Sequence, residues 1–244
     1  MITKNQVKYI QSLGQKKPRD IENRFIAEGP KLVNELLTAE NCRIVQLFAL
    51  KEWRDENPNT GNLTEVIELS DAELEKISQL TTPNQVLAVI EKIQWKNDPE
   101  TKGNISLVLD TIQDPGNMGT IIRLADWFGV KNIFCSADCA DVYSPKVVQA
   151  SMGSISRVRV EYTDILSWLK ENNGVRIYAA VLDGKDITKM EKITEGIIVI
   201  GNESKGINTE MLKLANVQIT IPGKGKAESL NAAVATGIIL SHLV

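Results

Sequence analysis

Short apolar runs alternate with amphipathic stretches along the whole chain, and this alternation sets the expected elements. Ile2, Val7, Ile10 and Leu13 recur at roughly helical spacing before Gly14, which predicts a first helix. A short strand at Arg24 to Ala27 follows, then a helix opened by Gly29-Pro30, where proline suits the first turn. Arg43 to Leu50, Glu65 to Leu69 and Gln85 to Ile90 read as further strands. Between the last two, Ser70-Asp-Ala-Glu73 is a capping box for a helix through Leu80, because Ser70 can take the Glu73 amide while Glu73 reaches back.

The pattern then breaks. Residues 95–104 are polar, hold Pro99 and Gly103, and lack periodicity, so they are expected to link a first domain at 1–94 to a second at 105–244. The second opens on Ile105-Ser-Leu-Val-Leu-Asp110, an apolar run ending in an acid, as a parallel strand covered on both faces should read. Helices are predicted from Gly119 to Phe128, Pro145 to Met152 and Asp164 to Glu171, and strands over Ile133 to Cys135, Ser156 to Val160 and Val175 to Val181. Strands Gly196 to Ile200 and Val217 to Ile221, with a final helix opening at Ser229, complete it. Such alternation implies an α/β fold: a small α/β domain, then a mostly parallel sheet with helices on both faces.

Composition narrows the class. With 244 residues and 43% hydrophobic content, the chain can bury one large core or two modest ones. No apolar run follows Met1, and Ala232 to Val244 is shorter than the about 20 residues a bilayer crossing takes, so a cytoplasmic protein without membrane contact is expected. Cys42, Cys135 and Cys139 form no framework, and Cys135 and Cys139 read as small buried hydrophobes near a strand end; no metal is expected. The single histidine, His242 in the last helix, is poorly placed as a general base. Net charge is −3, yet the N-terminal stretch carries Lys4, Lys8, Lys16, Lys17, Arg19, Arg24 and Lys31 against Asp20, Glu22 and Glu28. Charge alone makes this segment a solvated helix face.

Three loops could carry chemistry. Asp114-Pro-Gly-Asn117 is a turn former leading into a helix that bears Arg123, either an anion-binding corner or a tight βα turn with an exposed arginine. Gly201-Asn-Glu-Ser-Lys-Gly206 follows a strand, but Ile207 and Asn208 stand where a phosphate loop needs Lys and Ser or Thr, so the NTPase reading fails. No dinucleotide fingerprint follows a strand either, and an oxidoreductase would have only the α/β alternation in its favour. In Ile221-Pro-Gly-Lys-Gly-Lys-Ala-Glu-Ser-Leu-Asn231, Ser229 or Glu228 could cap the last helix, while Asn231, expected inside its first turn, sits where a strong helix former would serve better.

Together, Asp114-Pro-Gly-Asn-Met-Gly-Thr-Ile-Ile-Arg123, Ile200-Gly-Asn-Glu-Ser-Lys-Gly206 and Ile221-Pro with Glu228-Ser-Leu-Asn231 resemble the three motifs of the SpoU/TrmH family of RNA ribose 2′-O-methyltransferases. Phe25-Ile-Ala-Glu-Gly-Pro-Lys-Leu-Val-Asn-Glu-Leu-Leu37 is similar to that family's substrate-binding domain, of ribosomal-protein-like fold. The resemblance implies methyl transfer from S-adenosylmethionine to a ribose 2′-hydroxyl of ribosomal or transfer RNA, ribosomal by analogy, in a homodimer whose C-terminal segment forms a trefoil knot. It implies that Gly201, Ile221 and Leu230 contact the cofactor, and that Arg123, Asn117, Glu203, Ser229 and Asn231 form the reaction centre. It also turns the basic N-terminal segment into an RNA-facing surface. One departure is Gly223, where the family pattern has methionine; with Lys224 and Lys226 it gives a looser, more charged loop. The rival reading is an RNA-binding protein that keeps the fold without turnover.

Overall fold

The computed structural model describes residues 2–62 and 64–244. By packing, the chain divides into two units, Met1–Lys96 with Asp141–Ser156, and Asn97–Ala140 with Arg157–Val244.

The first unit contains α1 (Lys4–Ser12), α2 (Lys16–Glu22), β1 (Arg24–Glu28), α3 (Pro30–Thr38), β2 (Ile44–Leu50), α4 (Lys51–Glu56), β3 (Val66–Leu69), α5 (Asp71–Ile77) and β4 (Val86–Glu91). Its sheet runs β1-β4-β2-β3, antiparallel except for the β2–β3 pair. Ile10 and Leu13 of the first helical segment pack with Ile26, Phe48, Leu87 and Val89 of the sheet. The Ser70–Glu73 capping box is present at α5. Two short helices, α2 and α4, lie where the sequence shows no helical period. Both are dominated by charge, and α4 is held by one wholly buried side chain, Trp53.

The second unit is built on β5 (Ile105–Leu109), α6 (Pro115–Trp127) and β6 (Asn132–Cys135); after α7 (Pro145–Ser151) come β7 (Arg159–Tyr162), α8 (Ile165–Glu171), β8 (Ile177–Asp186), β9 (Gly196–Ile200), α9 (Thr209–Leu214), β10 (Val217–Thr220) and α10 (Ala232–Leu243). The sheet order is β10-β8-β9-β5-β6-β7, and every neighbouring pair is parallel. All five residues of β9 are buried. Ile197 and Val199 pack with α8 and α9 on one face, and Ile198 and Ile200 are equally buried on the other, as a doubly covered parallel strand requires.

Three expectations need correction. The segment 141–156, expected in the second domain, packs with the first unit: α7 lies against β1, the Tyr143 ring stands 4.9 Å from Phe25, and Asn41 Nδ2 donates to Ser156 O at 2.8 Å. Helix α6 begins at Pro115 rather than Gly119, because Asp114 caps it and accepts the Asn117 amide at 2.7 Å. Strand β8 does not stop at Val181. Gln218 pairs with Ala179 and Ile219 with Lys185, so the intervening residues bulge outward. Gly184 permits the rejoining, since a Cβ there would come 2.8 Å from the Gln218 carbonyl carbon.

Candidate active site

The loops after β5 and β9 emerge side by side at the end of the sheet where its order reverses, the usual ligand crevice of a parallel α/β unit. The β5 loop carries Asp114 and, in the first turn of α6, Asn117. The β9 loop, Gly201 to Asn208, folds back on itself: Asn202 and Gly206 exchange backbone hydrogen bonds at 3.1 and 2.9 Å. Gly201 is required there, because a Cβ would lie 2.4 Å from the Gly206 carbonyl carbon. Asn202 Oδ1 accepts the Ser204 and Lys205 amides, leaving Glu203 on the outside of a tight turn.

Asn231 is the N-cap of α10, with non-helical backbone angles (φ −54°, ψ 140°), and not a residue of its first turn as the sequence pattern predicts. Its Oδ1 accepts the Ala233 and Val234 amides at 3.0 and 3.2 Å. The cap therefore decides which way the Asn231 amide faces, and its Nδ2 donates to Asn117 Oδ1 at 2.8 Å. With its oxygen so occupied, Asn117 turns its own Nδ2 to Glu203 Oε1, 2.5 Å away. One directional chain, Asn231 to Asn117 to Glu203, thus joins all three motif loops through side chains more than 80 residues apart.

Arg123 and Ser229 stand outside that chain. Six positions after Asn117, Arg123 is about 9 Å further along α6 and about 120° around its axis; it is exposed and forms no ion pair among the described residues. Ser229 is exposed in the loop after β10. Ile221 is half-buried and Leu230 is 44% exposed. Leu182, 77% exposed in the β8 bulge, escapes sequence reasoning; its carbonyl accepts Thr220 Oγ1, from the residue before Ile221, at 2.9 Å. Only a register shift visible in three dimensions marks it out.

Between α6 and α10 runs a groove of about 550 Å³ whose lining includes Asn117, Leu124, Asn231, Val234 and Ile238. Behind the β5 loop, Cys139 is more than a packing residue: its Sγ accepts the Ile112 amide at 3.2 Å. A hydrogen bond from Cys135, aided by Ser136 and nearby amides and opposed by burial, draws the Cys139 thiol down to about 7. Burial pushes the Cys135 thiol well up. Among the described residues no group of three or more His, Cys, Asp or Glu could hold a metal ion, and no helix is long and apolar enough to cross a membrane.

Comparison with known proteins gives concordant matches. Residues 104–241 match the SpoU rRNA Methylase family, and residues 4–88 an MRM3-like substrate binding domain. The 23S rRNA (guanosine(2553)-2′-O)-methyltransferase RlmP of Bacillus subtilis is 32% identical over 98% of this chain and 96% of its own length. A TrmH-family structure from Porphyromonas gingivalis superposes with a TM-score of 0.85 at 37% identity, covering 99% of this chain and 98% of that one. An AdoMet-bound rRNA methyltransferase from Sinorhizobium meliloti gives a TM-score of 0.86 at 30% identity, covering 99% and 95%.

Proposed function

We propose S-adenosylmethionine-dependent 2′-O-methylation of ribosomal RNA as the activity of this chain, which belongs to the SpoU rRNA methylase family. The observation that carries the proposal is the Asn231–Asn117–Glu203 chain, because it draws together, within one family member, the polar groups of three separate loops. The surroundings suit the cofactor: exposed Leu182 and Leu230 with half-buried Ile221 offer apolar contact, and the glycine-bearing β9 loop offers backbone groups, the mixture an adenosyl and methionyl ligand needs. Gly201, Ile221 and Leu230 are assigned to cofactor binding, with Leu182 added.

When bound, the cofactor supplies a methyl group on a sulfonium centre. The protein must hold the ribose 2′-oxygen in line with that methyl group, and positioning of this kind can supply roughly 7–11 kcal/mol of the barrier. Asn117 and Glu203 are assigned to orienting the ribose, Asn231 to orienting Asn117, and the exposed Ser229 hydroxyl to a hydrogen bond at the nucleotide. Arg123 is assigned to the adjacent phosphate or to charge developing on the attacking oxygen. It does not serve as the base, since a guanidinium does not deprotonate in proteins.

The homodimer belongs to the same proposal. The α6–α10 groove carries Val234, 51% exposed, beside Leu124 and Ile238, and its rim holds Asn117 and Asn231. A second copy seated there would cover apolar surface and close the reaction centre against water. The trefoil knot is proposed with it, supported by α10 packing on α6 and by Leu243 O accepting the Ile193 amide, so that the chain end lies against segments that precede it. Residues 1–94 are assigned to RNA binding through their exposed lysines, and the cytoplasm is the proposed site of action.

The test is ribose-methylation mapping of RNA from cells with and without the gene. One ribosomal 2′-O-methyl group should vanish on deletion, and an unchanged map refutes the proposal. Calorimetric titration separates the inactive-protein rival, which predicts no S-adenosylmethionine binding at millimolar concentration.

A further inference from the structure

Thr111 holds a left-handed backbone, φ +59°, a conformation that β-branched residues rarely adopt. Such an outlier persists only where its surroundings over-determine it, and here every polar group of the residue is engaged. Its amide donates to Ser136 Oγ at 2.9 Å, its hydroxyl to Asp110 Oδ1 at 3.0 Å, and its carbonyl accepts Asn202 Nδ2 at 2.9 Å. Asp110, 7% exposed at the end of β5, accepts the Asn208 amide on Oδ2 at 2.8 Å, while its own amide donates to Ile200 O at 2.9 Å. The dipeptide therefore grips the β9 loop at both ends, through Asn202 at its start and Asn208 at its close.

We propose that Asp110 and Thr111 are positioning residues for methyl transfer: by clamping the Asn202–Asn208 loop to the strand that leads into α6, they set Glu203 against Asn117. The inference rests on the methyltransferase reading of the site. The geometry explains why a strained threonine stands where glycine would be relaxed. Only the left-handed backbone aims the carbonyl of residue 111 at Asn202, and only the hydroxyl ties that turn to Asp110. Glu203 follows directly on Asn202, whose Oδ1 in turn holds the Ser204 and Lys205 amides, so any slack at Thr111 is delivered to the carboxylate that Asn117 contacts.

Thr111→Gly separates positioning from folding, because glycine accepts the backbone angle without strain while removing the hydroxyl that ties the turn to Asp110, so that nothing but the backbone itself holds the carbonyl toward Asn202. In the full-length protein the melting temperature should hold or rise. The kcat for ribosomal RNA should fall tenfold or more, and in the cofactor-free protein the Ser204 and Lys205 amides should exchange at least tenfold faster. Thr111→Asn, which tolerates the left-handed region and keeps a short donor, should stay within threefold of the parent in both respects. Wild-type turnover and exchange in Thr111→Gly would overturn the proposal. So would a lower melting temperature in Thr111→Gly with a proportionate loss of activity, which is the signature of a merely structural residue. If the parent itself fails to methylate ribosomal RNA, the functional reading falls, and the amide-exchange comparison still decides the clamp.

Discussion

Replacing Asn231 by aspartate and by alanine separates its two roles, because one oxygen caps α10 and the amide nitrogen directs Asn117. Aspartate keeps a capping oxygen and places negative charge at a helix N-terminus, a gain of about 0.3–1 kcal/mol. Alanine removes the cap, which costs about 1 kcal/mol, and an exposed hydrogen bond worth about 0.5 kcal/mol. At about 2–4 °C per kcal/mol for a chain of this size, Asn231→Ala should melt roughly 3–6 °C lower, and Asn231→Asp at or slightly above the parent. Turnover should follow a different order. The carboxylate introduced by Asn231→Asp has no donor for Asn117 Oδ1, so Asn117 either leaves that oxygen facing a negative charge or flips and presents it to Glu203. Losing about 1.4–2.8 kcal/mol of orientation corresponds to tenfold to hundredfold in rate. Asn231→Asp should therefore be stable and slow, measured by thermal melting alongside transfer of labelled methyl groups to a ribosomal RNA transcript. A stable Asn231→Asp with parental turnover would refute the directional chain, and one that melts as low as Asn231→Ala would refute the cap.

Arg123→Ala should lose far more turnover than cofactor affinity, and Arg123→Lys should recover little, since an ammonium lacks the planar fork; retention of most activity by lysine would count against that role. Arg19, read from sequence as part of a basic RNA-facing segment, is 2% exposed and bonded to Asp141 at 2.5 Å and to Leu13 O at 2.9 Å. Arg19→Ala should destabilise the first unit by about 3–5 kcal/mol by calorimetry, whereas replacing exposed Lys16 and Lys17 should flatten the salt dependence of RNA binding at unchanged stability. Burial raises the Glu28 carboxyl above its ordinary 4.5, against hydrogen bonds from Ser78 and the Gln79 amide. Its folded form holds a proton more tightly than the unfolded chain, so its contribution is full below pH 4.5 and is lost as pH rises through the elevated folded value. Glu28→Gln should flatten stability against pH over that window in denaturant titrations.

Much of the fold was legible because the signals are local. Strand β9 is a continuous apolar run and β5 one broken only by Ser106, Ser70 and Glu73 spell out a cap within four residues, and Pro30 marks the first turn of α3. The site was legible as three motifs, and Asn117, Glu203 and Asn231 do meet. What misled the sequence reading was equally physical. Asn231 looked misplaced in a helix because its cap geometry depends on where α10 starts, and Arg19 looked like surface because its partner lies 122 residues away.

Sequence by itself thus determined most of the strands and the longer helices, the Ser70 cap of α5, and which family the chain belongs to, since each rests on neighbouring residues. Tertiary structure alone decided the rest. Parallel pairing joins strands distant along the chain, so only the order β8-β9-β5 brings the loop of Asp110 and Thr111 against that of Asn202 and Asn208. The direction of the Asn231–Asn117–Glu203 chain, the strain at Thr111 and the alliance of α7 with β1 follow from contacts that no local pattern encodes.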